Sequence, residues 1–119
     1  MIQADAQELL IVARDTLLAE VLPKVSGDIT YQVRMIANAM AIAAREINEA
    51  DRLAEVEQKA MAKLLGADAV GSLADQSQWL CEQIDRGCFD SDEQQRRLIE
   101  GLRSITVAQL RISNPKLLK

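Results

Sequence analysis

ITYQVRMIANAMAIAAREI, residues 29–47, carries apolar side chains at Ile29, Val33, Ile36, Met40, Ala43 and Ile47. These intervals follow the 3.6-residue turn of an α-helix and place all six on one face. Ala37, Ala39, Ala41 and Ala44 surround them. Small residues let other helices approach closely, so the stretch predicts a central helix contacted by most of the others. Asp28 is suited to its N-cap. The helix is expected to run to about Asn48 or Asp51.

The neighbouring segments read the same way. Upstream, a helix is expected from about Ala4 to Leu22, with Asp5 and Glu8 suited to its positive N-terminal end. Leu10, Ala13, Leu17 and Val21 form its core face, and Ile11, Leu18 and Leu22 a second stripe. Two apolar stripes imply two neighbours. One of them can belong to another subunit, so Ile11, Leu18 and Leu22 are candidate interface residues. Pro23 ends this helix.

Downstream, Leu53, Val56, Ala60, Leu64 and Leu65 predict a third helix over about Asp51–Leu65, closed by Gly66 as a C′ residue. No proline separates it from the central helix, but a compact domain of this size favours a bend near Asn48–Asp51. Ser72 and Asp75 resemble a capping box. They would open a helix to Arg86 that turns Leu73, Ser77, Leu80, Cys81 and Ile84 inward, with Gly87 behind it. Asp90 or Ser91 would cap a last helix ending at Ser113, striped by Leu98, Leu102, Ile105 and Ile112, before Asn114 and Pro115. No useful run alternates with period two. The fold class expected is all-α, an antiparallel bundle of four to five helices forming a single domain over residues 1–119.

Composition narrows the chemistry. The chain contains no histidine, which excludes Ser-His-Asp and Cys-His catalysis and imidazole metal sites. The formal net charge is −4 and no Lys/Arg-rich run occurs, so no nucleic-acid partner is expected. No segment has the roughly 18 apolar residues of a membrane span. The N-terminus lacks the basic region of a signal peptide. A cytoplasmic location is therefore expected. Cys81 and Cys88 lie seven apart on a helix, about 10.5 Å along its axis, too far for a disulfide. They read as small buried hydrophobes. Phosphate loops, dinucleotide fingerprints, nucleophile elbows and paired CxxC motifs are absent. The expectation is no catalytic residues, no cofactor and no metal.

One polar line remains. Arg34, Asn38 and Arg45 fall near one face of the central helix, with Tyr31 one turn earlier. A guanidinium fork suits a carboxylate or phosphate, so Tyr31, Arg34, Asn38 and Arg45 are candidate ligand-binding residues for an anionic acyl or phosphate group. The competing reading is internal satisfaction, and it is the stronger one. Arg34 would pair with Asp15 or Glu20, and Asn38 would donate to carbonyls at the helix end near Ser113–Pro115. Glu46, Glu49, Glu55 and Glu57 read as a solvated acidic surface. Arg96, Arg97, Arg103 and Arg111 make the last helix locally basic, and Arg96, Arg103 and Arg111 read as a solvent-facing row. Trp79 is a candidate interface anchor if exposed.

YQVRMIANAMAIAAREI, EVLPKVSG (Glu20–Gly27), LCEQIDRGCFD (Leu80–Asp90) and QLRISNPKLL (Gln109–Leu118) together resemble a family of small uncharacterised bacterial proteins. Its members are encoded beside, or fused to, a kinase-like domain similar to aminoglycoside phosphotransferases, often near acyl-CoA dehydrogenases. The resemblance implies a helical accessory domain working near acyl-CoA or hydroxyacyl metabolism, and it implies no known activity. Any phosphoryl transfer would belong to a partner. A non-catalytic module that binds such an enzyme, and that can form a homodimer, is the function expected.

Overall fold

The computed structural model describes residues 5–119. They form four α-helices, and no strand occurs among the described residues: α1 (Ala6–Thr16), α2 (Asp28–Leu65), α3 (Leu73–Asp85) and α4 (Asp92–Ser113). The all-α expectation holds. The expected bend near Asn48–Asp51 does not occur, because α2 is one helix of 38 residues. Its sequence contains neither glycine nor proline. Ala50, Arg52, Ala54 and Glu55 are all strong helix formers, so nothing local stops propagation.

The helix ends show what does stop it. Asp5 caps α1 by accepting from the Glu8 amide at 2.8 Å; the expected start at Ala4 lies outside the described residues. After Thr16 the helix widens into a π-helical turn, Leu17–Val21, and then tightens into a 3-10 turn, Leu22–Lys24, containing Pro23. Asp28 is the first residue of α2 and contributes a carboxylate to its first turn. Gly66 follows α2 at φ +57, the left-handed conformation that most side chains resist. The Ser72–Asp75 capping box forms in both directions at 3.1 Å. Of the two residues proposed to cap α4, Ser91 does so, its hydroxyl accepting from the Gln94 amide at 3.2 Å.

The chain divides into two compact units. The second, Asp51–Leu110, holds the C-terminal part of α2, all of α3 and most of α4. Its core is Ala60, Met61, Leu64, Leu65, Leu80, Phe89 and Ile105. Gly101 sets the approach of α4 to α2 in this unit: a Cβ there would stand 2.8 Å from Cδ1 of Leu64. Phe89, which the helical periodicity could not place, is buried in the turn between α3 and α4.

The first unit comprises the chain through Ala50 together with Arg111–Lys119. Its buried hydrophobic residues are Val33, Ala37, Ala44 and Ile112, and α1 buries none completely. Here the expected core face of α2 is displaced. The buried face centres on Val33, Ala37 and Ala44, while Ile29, Ile36 and Ile47 remain 53%, 49% and 48% exposed. The alanines permit a close approach that a face of isoleucines would prevent. On α1, Leu10 and Leu17 are half-buried, but Ala13 and Val21 are exposed. Cys81 and Cys88 are both exposed free thiols, which corrects the reading of them as buried; Leu80 takes the inward place that had been given to both Leu80 and Cys81.

Leu80, 3% exposed, is the most buried side chain of the second unit's core. Leu80→Ala is expected to lower unfolding free energy by about 2–5 kcal/mol. Leu73→Ala on the same helix, at a position 38% exposed, should cost about 1 kcal/mol or less. Urea denaturation of the two variants checks the difference.

Candidate functional site

The first unit places the residues of the polar line apart. Tyr31, Arg34 and Asn38 are all exposed, Tyr31 at 67%. Among the described residues, Arg34 forms no ion pair with Asp15 or Glu20, and Asn38 forms no hydrogen bond. Arg45 behaves differently. It is half-buried, and its Nε donates to the Ile112 carbonyl at 2.7 Å. Ile112 belongs to the last turn of α4, where carbonyls lack intrahelical partners and the helix dipole is negative. A carbonyl beside Ser113–Pro115 therefore does receive a donor from α2, but it comes from Arg45, two turns further along, and not from Asn38.

Two further arginines use their guanidinium groups on helix carbonyls. Nε of Arg14 donates to the Ala37 carbonyl at 3.1 Å, joining α1 to α2 within the first unit. In the second unit Arg97 donates to the Lys63 carbonyl, in the last turn of α2, and also to Oε1 of Gln94. Of the expected solvent-facing row, Arg96 and Arg103 are exposed and Arg111 is half-buried; Arg97, also exposed, closes a helix end. An arginine 34 residues from its acceptor leaves no local signature, so the sequence could not reveal the pairing.

Two open grooves lie beside these contacts. In the first unit a groove of about 200 Å³ runs between α1 and α2, lined by Leu10, Ile11, Arg14, Met40, Ala44 and Arg45 among others. Arg45 thus faces a cavity, but Tyr31, Arg34 and Asn38 do not line it. In the second unit a groove of about 500 Å³ has Val56, Ala60 and Leu64 as its floor and Lys59, Lys63, Arg97 and Glu100 around it. Lys59 stands 3.9 Å from Glu55, an exposed i,i+4 pair, which contributes a few tenths of a kcal/mol at most. Among the described residues, no cluster of three or more Cys, Asp or Glu could hold a metal ion.

The candidate interface residues are accessible to different degrees. Ile11 is 45% exposed and Trp79 36% exposed, while Leu18 and Leu22 are half-buried. The π-helical turn explains the split. A widened turn at Leu17–Val21 breaks the regular phase on which the seven- and four-residue spacing from Ile11 to Leu22 relied. The larger apolar surface is on α2, where Ile29, Ile36 and Ile47 share a face with Met40 and Ala43. Periodicity had identified these residues correctly and assigned them to the core; it could not know that their own chain leaves them half-uncovered.

These features define an all-α protein whose polar residues mostly close helix ends and whose longest helix presents an uncovered apolar strip. The chain belongs to the DUF6285 family, a domain of unknown function, whose family model matches residues 23–117. No curated protein and no solved structure matches it. No helix among the described residues is long and apolar enough to cross a membrane.

The contrast between Arg45 and Arg34 is measurable. Removing a charge-assisted donor to a helix-end carbonyl is expected to cost about 1.5 kcal/mol or more in Arg45→Met. Arg34→Met, at an exposed position without a partner among the described residues, should stay within about 0.5 kcal/mol of the parent. Equilibrium denaturation of both variants supplies the comparison.

Proposed function

We propose that this chain is a non-catalytic helical interaction module, and that the apolar strip of α2 is where a protein partner seats. The observation that supports this is the half-exposure of Ile29, Ile36 and Ile47 on one face of a single helix. Fully burying an isoleucine is worth about 1.5–3 kcal/mol, so each holds roughly 1 kcal/mol of unclaimed burial. Three such residues do not sustain an interface alone, since a stable one covers about 800 Å² per partner. They form its apolar centre, with Met40 between them on the same face. Methionine fills irregular gaps, which suits an adaptable contact.

The resemblance to domains encoded beside phosphotransferase-like kinases and acyl-CoA dehydrogenases supplies the enzymes such a module would serve. A bacterial and cytoplasmic setting goes with that resemblance. Chemistry on the substrate would then belong to the enzyme, and the module would bring no cofactor.

A second reading has one observation in its favour. Arg34 and Asn38 project from neighbouring turns of α2 with no hydrogen bond or ion pair among the described residues. They are free to hold an anionic acyl or phosphate group, together with Tyr31. Arg45 is committed to Ile112 and would take no part unless that bond opened. Calorimetric titration with inorganic phosphate and acetyl phosphate tests it; neither heat nor thermal stabilisation would dismiss it.

For the first reading, the purified chain is mixed with a purified phosphotransferase-like kinase or acyl-CoA dehydrogenase from the same genomic neighbourhood. Size-exclusion chromatography with light scattering is expected to show association, of the chain with itself or with an enzyme. Ile36→Glu should weaken it at least tenfold, because a carboxylate would have to be desolvated at the contact. A chain that stays monomeric at all concentrations and captures neither enzyme would overturn the proposal.

A further inference from the structure

We infer that the groove between α1 and α2 binds a small oxyanion on a short apolar body, a carboxylate or phosphate ester held by Arg14 and Arg45. The site goes beyond both readings above, since Ile29, Ile36, Ile47, Arg34 and Asn38 do not line this groove. A guanidinium carries five N–H donors. Arg14 engages the Ala37 carbonyl through Nε at 3.1 Å, and Arg45 the Ile112 carbonyl through Nε at 2.7 Å. Among the described residues no acceptor takes the Nη groups of either. What remains on each is the Nη1–Nη2 edge, whose paired donors a carboxylate or phosphate accepts in bidentate fashion. Both side chains are half-buried, and both line the same groove of about 200 Å³.

The remaining lining suits the other end of such a ligand. Leu10 and Met40 are apolar walls, and the small side chains of Ala41 and Ala44 keep the α2 side open. Asp15 is the one carboxylate in the lining, and among the described residues it pairs with neither arginine. Two cations thus face one anion, in a chain whose net charge is −4. The charge of the groove is opposite to that of the chain around it. The Nε bonds matter for a second reason. They fix both forks before a ligand arrives, so less side-chain freedom is lost on binding than free surface cations would lose. The two arginines also come from different helices, and α1 buries no residue completely. An oxyanion shared between them ties α1 to α2.

Calorimetric titration of the full chain with hexanoate, butyl phosphate, acetate and inorganic phosphate tests the site. Hexanoate or butyl phosphate is expected to bind at one site, at least tenfold more tightly than acetate or inorganic phosphate, which lack the apolar body. The tighter of the first two identifies the head group. Ala41→Leu fills the groove with a good helix former and leaves both arginines in place. It is expected to weaken binding at least tenfold with unchanged helical circular dichroism. Asp15→Asn removes the opposing carboxylate and should tighten binding about threefold, a gain that a purely structural role for the arginines does not produce. Arg34→Met should leave the affinity unchanged. Absence of heat from all four anions would overturn the inference, as would equal affinity for hexanoate and acetate. Binding that survives in a folded Ala41→Leu chain but is lost in Arg34→Met would overturn it in favour of the exposed Arg34 and Asn38. If Ala41→Leu loses its helical signal, Asp15→Asn decides, and unchanged or weaker affinity there would overturn the site. Association with an enzyme is measured separately, so the interaction-module reading stands or falls on its own.

Discussion

A helix of 38 residues with no glycine or proline runs unbroken out of one compact unit and into the other, and what it packs against changes on the way. From Asp51 onward, α2 meets α3 and α4 in a unit whose core includes Met61, Leu64, Leu65, Leu80, Phe89 and Ile105. Before Ala50 it meets α1 and the end of α4, and its buried positions are Val33, Ala37 and Ala44. The apolar face of the earlier half, Ile29 to Ile47, ends at the polar stretch Asn48–Arg52, and its cover is narrower. Ile29, Ile36 and Ile47 are the remainder. The proposed role of the protein follows from that mismatch between an apolar face and an incomplete cover.

The arginines resolve a second constraint. Helix C-termini leave carbonyls without intrahelical donors. Within the first unit Arg45 serves the end of α4, and within the second Arg97 serves the end of α2. Each donation is charge-assisted and complements the negative end of the helix dipole. In this acidic chain, basic residues that look available for ligands are partly consumed by its own architecture. Arg34 is not, and it stands in solvent. The same residue type on the same helix thus divides by reach: Arg45 lies beside a helix end and Arg34 does not.

Much of the fold was legible because its signals are local. Ser72 with Asp75 and Gly66 each act within a turn of their own position, and the elements begin or end where these residues direct; Pro23 sits inside the 3-10 turn that follows the π-helical turn. Asn48–Asp51 misled because the argument for a bend was global, resting on compactness, while the residues themselves favour helix. Helical periodicity found the apolar strip of α2 but not its exposure, since a moment gives the direction of a face and not what lies against it. The core face turned toward the alanines because α1 approaches closely. The candidate site was less legible. Arg45 to Ile112 joins residues 67 positions apart, and nothing in the local pattern distinguishes Arg45 from Arg34. Cys81, next to buried Leu80, shows the same limit: neighbouring positions on a helix point some 100° apart, and a broad apolar stripe blurs them.

The alanine face of the first unit has an evolutionary corollary. Ala37 is 2% exposed and Ala44 5%, and the carbonyl of Ala37 receives the Arg14 guanidinium. At such a face volume is scarcer than hydrophobicity. Ala37 in particular has almost no accessible surface into which an added methyl group could extend. A larger side chain at Ala37 is therefore harder to accommodate than an exchange among bulky apolar types at the outward-facing isoleucines. Tolerance to replacement would run opposite to the usual rule, with the smallest and least conspicuous side chains the least replaceable.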